Sequence, residues 1–482
     1  MYLFICILFD LFYGILGDGT NVSCVETFLI HNGYVGGIDL PNSIGYNDTV
    51  SIDNKRVSAD PTYSLSPINE NDVSLAVLAS EHCGLPFSVK SGGHSAAGYC
   101  LSSGIVINLA IGLHKVALGE ENSVGGTVKV EAGAKWEDIY TVTNTTEFLP
   151  IGGGCPTVGA GFLLGGGWSF LSRSYGLGCD NIISARLVLA NGTLVTVSND
   201  RHSDLFWAIR GGGGGNFGIA TSFELQMHRP NSPIMLVGEL CWNPFDPVVL
   251  DLWTYWLNEY WHNAPNWFDI EPCFLPINQD YPDPRMFCFT VICNGDPDSE
   301  CAPLVNHIVD SYPPVLNSVI AQPFMQWQLA NVNITDAQEG YLYLTSGILA
   351  PGAFTVSLAS KLIDALRVAP SLRNLVLFHT GGGKITSIPS NESAFPWRNV
   401  ELIIQIKGIW EQPEDEEANV AWVKNTRSLV SSALSGSYIN YIDPYLAEWQ
   451  DAYYGHNYDR LLSIKQAVDP RNMFKFNQSI GQ

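Results

Sequence analysis

Between residues 55 and 230 the chain alternates short apolar-rich runs with glycine turns. GIVINLA (104–110), GTVKVEAGA (126–134), ISARLVLANGTLVTV (183–197) and IATSFELQMH (219–228) carry the spacing and β-branched content of strands. Two helical stretches intervene, NENDVSLAVLASEHC (69–83) and AKWEDIYTVTN (134–144). After HRPNSP (228–233) the texture changes. DPVVLDLWTYWLNEYWHNAP (246–265) predicts an aromatic-rich helix, and RMFCFTVIC (285–293), YLYLTS (341–346) and VELIIQIKGIW (400–410) predict longer strands. The last segment, DPYLAEWQDAYYGHNYDRLLSIKQAVDP (443–470), returns to helix. The pattern predicts an α+β protein of two domains, the first with more than one small sheet and the second with a large antiparallel sheet covered by helices. The expected boundaries are 24–230, 231–436 and a C-terminal segment 437–482.

Composition narrows the class. A chain of 482 residues exceeds one ordinary core, and 46% hydrophobic with 15% charged residues suits a globular enzyme. A net charge of −23 disfavours nucleic acid and anionic membranes as partners. The apolar start MYLFICILFDLFYGILG (1–17) reads as a signal peptide, although it lacks a basic residue and contains Asp10. Seven N-x-S/T triplets, at Asn21, Asn47, Asn144, Asn191, Asn333, Asn391 and Asn477, and eleven cysteines agree with an extracellular, secreted protein. Cys24 and Cys83 are candidates for one disulfide, and Cys288, Cys293 and Cys301 cluster near another. No zinc-type spacing occurs, so no metal is expected. A monomer is expected.

Three glycine-rich segments carry the chemistry. IGGGCPTVGAGFLLGGG (151–167) resembles a dinucleotide loop, yet glycines precede it where a strand is required, and Pro156 adjoins Cys155. Its apolar Val158, Phe162, Leu163 and Leu164 also argue against a linker. In FSVKSGGHSAAGYC (87–100), a strand ends in a tight polar loop. There Ser91, Gly92, Gly93, His94 and Ser95 could turn backbone N–H groups toward an anion. DLFWAIRGGGGGNFGIAT (204–221) offers five consecutive glycines where backbone could approach a flat ligand.

Together these segments resemble the berberine-bridge-like branch of the vanillyl-alcohol-oxidase (PCMH-type) FAD-linked oxidases, a family related to oligosaccharide oxidases. The resemblance rests on SVKSGGHS, CPTVGAG with LGGG, YGLGCDNI, LFWAIRGGGGGNFG and the C-terminal YINYIDP and YYGHNYDRL, in that order. It implies a FAD tethered twice, through His94 to the dimethylbenzene methyl and through Cys155 to the neighbouring ring carbon. Without the motifs, His94 would read as a loop histidine and Cys155 as a buried thiol. The resemblance further implies cofactor contacts from Val158, Gly159, Gly161, Asp180, Gly213, Asn216, Ile219, Asn440 and Asn477. Cys179 and Trp397 depart from the usual family residues, a small side chain and histidine respectively.

The same resemblance implies the chemistry. Tyr441 is the expected base, with Tyr438 lining the pocket. An unassisted phenol is a poor base at neutral pH, and Lys407 is the expected helper. Strand alternation places Lys407 and Gln405 on one face. A solvated lysine and aromatic packing are the alternative readings of Lys407 and the tyrosines. Val158 implies access for dioxygen and hence an oxidase releasing hydrogen peroxide. The expected substrate is a small-molecule alcohol or an oligosaccharide, although Ala96 stands where sugar oxidases often carry an aromatic. A sugar platform would then come from Trp253, Trp327 or Trp397. The alternatives are oxidative cyclisation of a secondary metabolite and a secreted flavoprotein without turnover.

Overall fold

The computed structural model describes residues 23–276, 283–330 and 340–482. The signal-peptide segment 1–17 and the triplets at Asn21 and Asn333 lie outside them. The other five triplet asparagines are all exposed.

Four strands, β1 (Gly37–Asp39), β2 (Tyr63–Ser66), β3 (Phe87–Lys90) and β4 (Ile105–Asn108), form the first sheet in the order β1-β2-β4-β3. β4 pairs in parallel with both β2 and β3. Parallel strands need a crossover, which the helix Glu70–Cys83 supplies between β2 and β3. That helix has clear ends. The Asn69 side chain accepts from Asp72 N–H at its start, and Gly84 closes it in the left-handed region at φ +65°.

The second sheet is antiparallel. β5 (Val116–Glu121), β6 (Gly125–Glu131), β7 (Ile182–Val188), β8 (Leu194–Ser198) and β9 (Ile219–His228) lie in the order β5-β6-β9-β7-β8. The long run ISARLVLANGTLVTV therefore folds as the hairpin β7–β8, turning at Gly192 with φ +75°.

The third sheet has nine strands: β10 (Met235–Trp242), β11 (Phe268–Pro276), β12 (Arg285–Cys293), β13 (Leu316–Asn317), β14 (Ile320–Gln322), β15 (Tyr341–Leu349), β16 (Leu375–Thr380), β17 (Leu402–Trp410) and β18 (Leu434–Gly436). Its order is β13-β10-β12-β11-β16-β17-β15-β18, with β14 also on β10. The architecture is thus α+β, two small sheets and one large antiparallel sheet. The back of the large sheet packs Phe287, Phe378, Ile404 and Ile406 against helices that contribute Trp253, Leu362 and Val423. Alternation along β17 turns Gln405 and Lys407 to the opposite face. That face looks toward the small sheets.

Two helices differ from the sequence reading. The aromatic helix runs Val248–Tyr255 and continues through a widened turn, 256–260, to Asn263. The C-terminal helical stretch breaks at Gly455 (φ +45°) into Trp449–Tyr454 and Tyr458–Val468, because its backbone there leaves the helical region. The final segment folds back on the glycine loop: Lys465 Nζ donates to Asn216 O (2.8 Å), Phe474 O (2.6 Å) and Asp469 (2.7 Å).

Disulfides join Cys24–Cys83, Cys241–Cys288 and Cys293–Cys301. The first is the pairing expected from sequence, and Cys241 is the partner the sequence left open for Cys288. Among the described residues Cys100, Cys155, Cys179 and Cys273 keep free thiols. No helix among the described residues is long and apolar enough to cross a membrane.

Candidate active site

One cavity of about 600 Å³ lies between the front of the large sheet and the glycine loops of the two small sheets. That volume falls in the range of small-molecule sites. The loop side is made by two segments that nearly touch. A Cβ on Gly92 would sit 2.3 Å from Gly159 N, so only glycine permits this approach of 91–95 to 157–161. Beneath the first loop, Lys90 Nζ is buried and donates to Asp48 O, Thr49 O and Ser51 O at 2.6–2.9 Å. The second loop begins as a turn in which Val158 N–H donates to Cys155 O (3.3 Å). It is fixed by the helix Trp136–Thr143, whose first N–H groups donate to Val158 O (3.0 Å) and Pro156 O (2.9 Å).

This packing brings the two expected tethers together. His94 Nε2 lies 2.9 Å from Thr157 Oγ1, and Cys155 Sγ lies 3.3 Å from the same oxygen. Asp53 is 3.8 Å from His94 Nδ1. Ser91, Gly92, Gly93, Ser95, Val158, Gly159 and Gly161 line the cavity beside them, as do Gly213, Asn216, Ile219 and Asn440. Two glycines border open cavity space. A Cβ on Gly161 would meet no heavy atom within 4 Å, and one on Gly214 would meet only Leu164, at 3.8 Å. A flat ligand can therefore lie directly on this backbone.

The sheet side follows from register. Antiparallel pairing aligns Glu239 with Thr290 and Thr290 with Glu271 across β10, β12 and β11. His379 of β16 continues this polar row, with its Nδ1 3.0 Å from Glu271 Oε2. The next row holds Cys273, Leu377 and Gln405, and the one after it Leu275, Leu375, Lys407 and Leu344. Tyr441 reaches the polar row from the C-terminal segment, its hydroxyl 2.7 Å from His379 Nε2. Burial, then Tyr438, Glu271 and Cys155, push the Tyr441 phenol well above its ordinary range, so it is neutral at rest. Lys407 lines the cavity too. Burial lowers its pKa, while Asp53 and Cys155, its acidic neighbours on the loop side, work the other way.

Three expected site residues lie off the cavity lining. Tyr438 is 1% exposed, and its oxygen accepts from Gly167 N–H and Trp168 N–H, both at 3.0 Å, and from Asn440 Nδ2 at 2.9 Å. It holds the LGGG turn from behind. Asp180 is engaged by Arg398 through two 2.7 Å bonds, and Asn477 is exposed at the surface. Of the tryptophans weighed as platforms, Trp327 lines the cavity and packs edge-on against Phe170. Trp253 is fully buried behind the sheet, and Trp397 packs on Gly436 and donates to Tyr453 O.

His379, Glu271, Glu239 and Thr157 were missed by sequence reasoning. Thr157 sits inside the CPTVGAG motif, and LFHT could have been read by the alternation applied to β17. Glu271 has no local signal; only register joins it to His379. The one group of potential metal ligands among the described residues, Glu239 with Cys241 and Cys288, has both sulfurs committed to a disulfide.

The FAD binding domain family matches residues 61–198, and the family "Berberine and berberine like" matches 437–481. The two matches carry the tether loops and the Tyr441 segment. The chain belongs to the berberine-bridge-like FAD-linked oxidoreductases. Its fold is that of the vanillyl-alcohol-oxidase (PCMH-type) flavoproteins. It superposes on BBE-like 1 of Physcomitrella patens with a TM-score of 0.82 at 25% identity, covering 95% of this chain and 98% of that one. It superposes on the xylooligosaccharide oxidase of Myceliophthora thermophila C1, solved with xylobiose, with a TM-score of 0.81 at 25% identity, covering 95% and 99%. In sequence it is 29% identical to cannabidiolic acid synthase-like 1 of Cannabis sativa over 89% of this chain and 86% of that protein. FAD is the cofactor of this family, and the bare backbone at Gly161 and Gly214 suits its flat ring.

Proposed function

We propose that this chain is a secreted oxidase that transfers a hydride from an alcohol or sugar C–OH to FAD held covalently through His94 and Cys155. The observation that carries the reading is the convergence of both side chains on the Thr157 hydroxyl, at 2.9 and 3.3 Å, across the cavity wall from Tyr441. Two tethers on one ring need two nucleophiles within a few ångströms, and these residues meet that requirement. Bound there, FAD would supply the two-electron acceptor, with dioxygen as the terminal oxidant and hydrogen peroxide as its product. Val158 lines the cavity three residues after Cys155, and its compact side chain supports the oxidase reading.

The chain itself handles the proton. A neutral phenol takes the substrate's hydroxyl proton only if it passes its own on. Tyr441 has an acceptor for that proton at 2.7 Å, His379 Nε2, provided the imidazole carries its hydrogen on Nδ1. Glu271, 3.0 Å from Nδ1, holds that tautomer and stabilises the imidazolium that results. Lys407 lines the same cavity, with Asp53 and Cys155 among its electrostatic neighbours. A complete Tyr441–His379–Glu271 chain has no purpose in a flavoprotein without turnover.

Acid precipitation of the purified protein tests the cofactor assignment. A yellow pellet with a bicovalent flavin spectrum is expected, and a colourless pellet overturns it. The exposed triplets at Asn47, Asn144, Asn191, Asn391 and Asn477, together with three disulfides, support secretion.

A further inference from the structure

We infer that the alcohol this site accepts carries an apolar body and not a string of hydroxyls. The inference rests on the oxidase reading above and adds the class of its substrate.

Four polar side chains of the sheet face line up at one end. Glu239, Thr290, Glu271 and His379 form a single row across four strands, and Tyr441 meets that row at its His379 end. Beyond it the face turns apolar. Leu342 and Leu344 of β15, Leu375 of β16 and Ile409 of β17 pack into one cluster, with Leu275 and Leu377 at its edge. All six line the cavity. The Tyr441 ring and Ala96, on the tether loop, pack against the same cluster. The apolar surface therefore starts at the base and spreads to both walls.

A substrate whose carbinol reaches Tyr441 and whose remainder lies over this cluster meets mainly leucine and isoleucine side chains, with Lys407 and Gln405 set between them. A sugar hydroxyl placed over one of the leucine or isoleucine side chains would give up water without gaining a partner, a cost of about 1–3 kcal/mol. A hydrocarbon body meets the opposite balance. Lys407 and Gln405 are the polar side chains set within the cluster, and Arg373 joins the same lining two residues before Leu375. Phe170 and Trp327 add further apolar surface to the lining.

A homologous series decides the matter. The purified holoprotein is given 1-butanol through 1-octanol, with xylobiose and glucose as the polar arm. Anaerobic flavin bleaching reports reaction, and thermal-shift titration reports binding. Each added methylene is expected to raise kcat/KM, and affinity in the titration, about three- to fourfold until the cluster is filled. Leu377→Asn, or Leu275→Asn should the first fold poorly, flattens that slope. A flat slope in wild type, with the sugars binding more tightly than every alkanol, overturns the inference. Alkanols that bind with the expected slope while no probe bleaches the flavin leave the inference standing and overturn the oxidase reading instead.

Discussion

The two walls of the cavity are built by different means. The loop wall uses backbone: Gly92 against Gly159, a turn at Cys155–Val158, and glycines at 161 and 214 facing open space. The sheet wall uses side chains delivered by strand register, alternate residues of β11, β15, β16 and β17 with Glu239 of β10 and Thr290 of β12. Backbone can hold a large flat group whatever the neighbouring side chains are. Side chains on a rigid sheet can be exchanged singly without disturbing the fold. Under the proposed function, the cofactor lies on the first wall and the substrate is chosen and deprotonated at the second, with Tyr441 at the seam.

The most severe test removes the base alone. Tyr441→Phe keeps the ring packing and deletes the hydroxyl that meets His379. Anaerobic flavin reduction is expected to fall about 10²- to 10⁴-fold, with the flavin still in the acid pellet. Near-wild-type reduction would remove Tyr441 from the mechanism. The converse change, His94→Ala with Cys155→Ala, is expected to give a colourless acid pellet while the sheet wall stays intact. If the double variant still yields a yellow pellet, the tether assignment fails.

His379→Gln sharpens the comparison within the sheet wall. Glutamine can hydrogen-bond Tyr441 but cannot take its proton. A loss of about 10- to 100-fold in reduction rate is expected. Combined with Tyr441→Phe it should add almost nothing, because the two residues act as one unit. Additive losses would show that His379 serves only as packing. On the loop wall, Val158→Leu should slow reoxidation by dioxygen about tenfold or more while leaving reduction unchanged. Stopped-flow traces of each half-reaction separate the two.

The same division explains what could be read from the chain. SVKSGGHS and CPTVGAG are local in sequence, so the loop wall with His94, Cys155 and their glycine neighbours is legible from the order of residues alone. IATSFELQMH and RMFCFTVIC match β9 and β12 residue for residue, because each is a strand bounded by turn residues. Gln405 and Lys407 fall on one face by alternation within a single strand. Register is not legible in this way. Glu271 and His379 are 108 residues apart, and nothing in either segment states that β11 lies beside β16. Tyr438 was misplaced for a related reason: its motif named a pocket tyrosine, but the turn at 438–441 sends one ring to the cavity and the other behind the LGGG loop.

The smallest expected effect lies at the far end of the polar row and tests whether that end does chemistry at all. Glu239 lines the cavity and is half-buried. Burial, together with Glu271, raises its carboxyl to about 8, against the hydrogen bonds from Thr290. In the folded protein it therefore holds a proton between about pH 4.5 and 8 that the unfolded chain has released. Folded protein binds the extra proton in that window, so stability falls as pH rises through it. Glu239→Gln keeps the shape and an acceptor for Thr290 but cannot ionise. Its melting temperature should match wild type near pH 4 and exceed it near pH 8, by about 1–4 °C. Turnover of a saturating alcohol should change less than twofold, since Tyr441 and His379 are untouched. A large loss of turnover with no change in the pH dependence of melting would move Glu239 into the catalytic end of the row and push the boundary between chemistry and scaffold one strand further across the sheet.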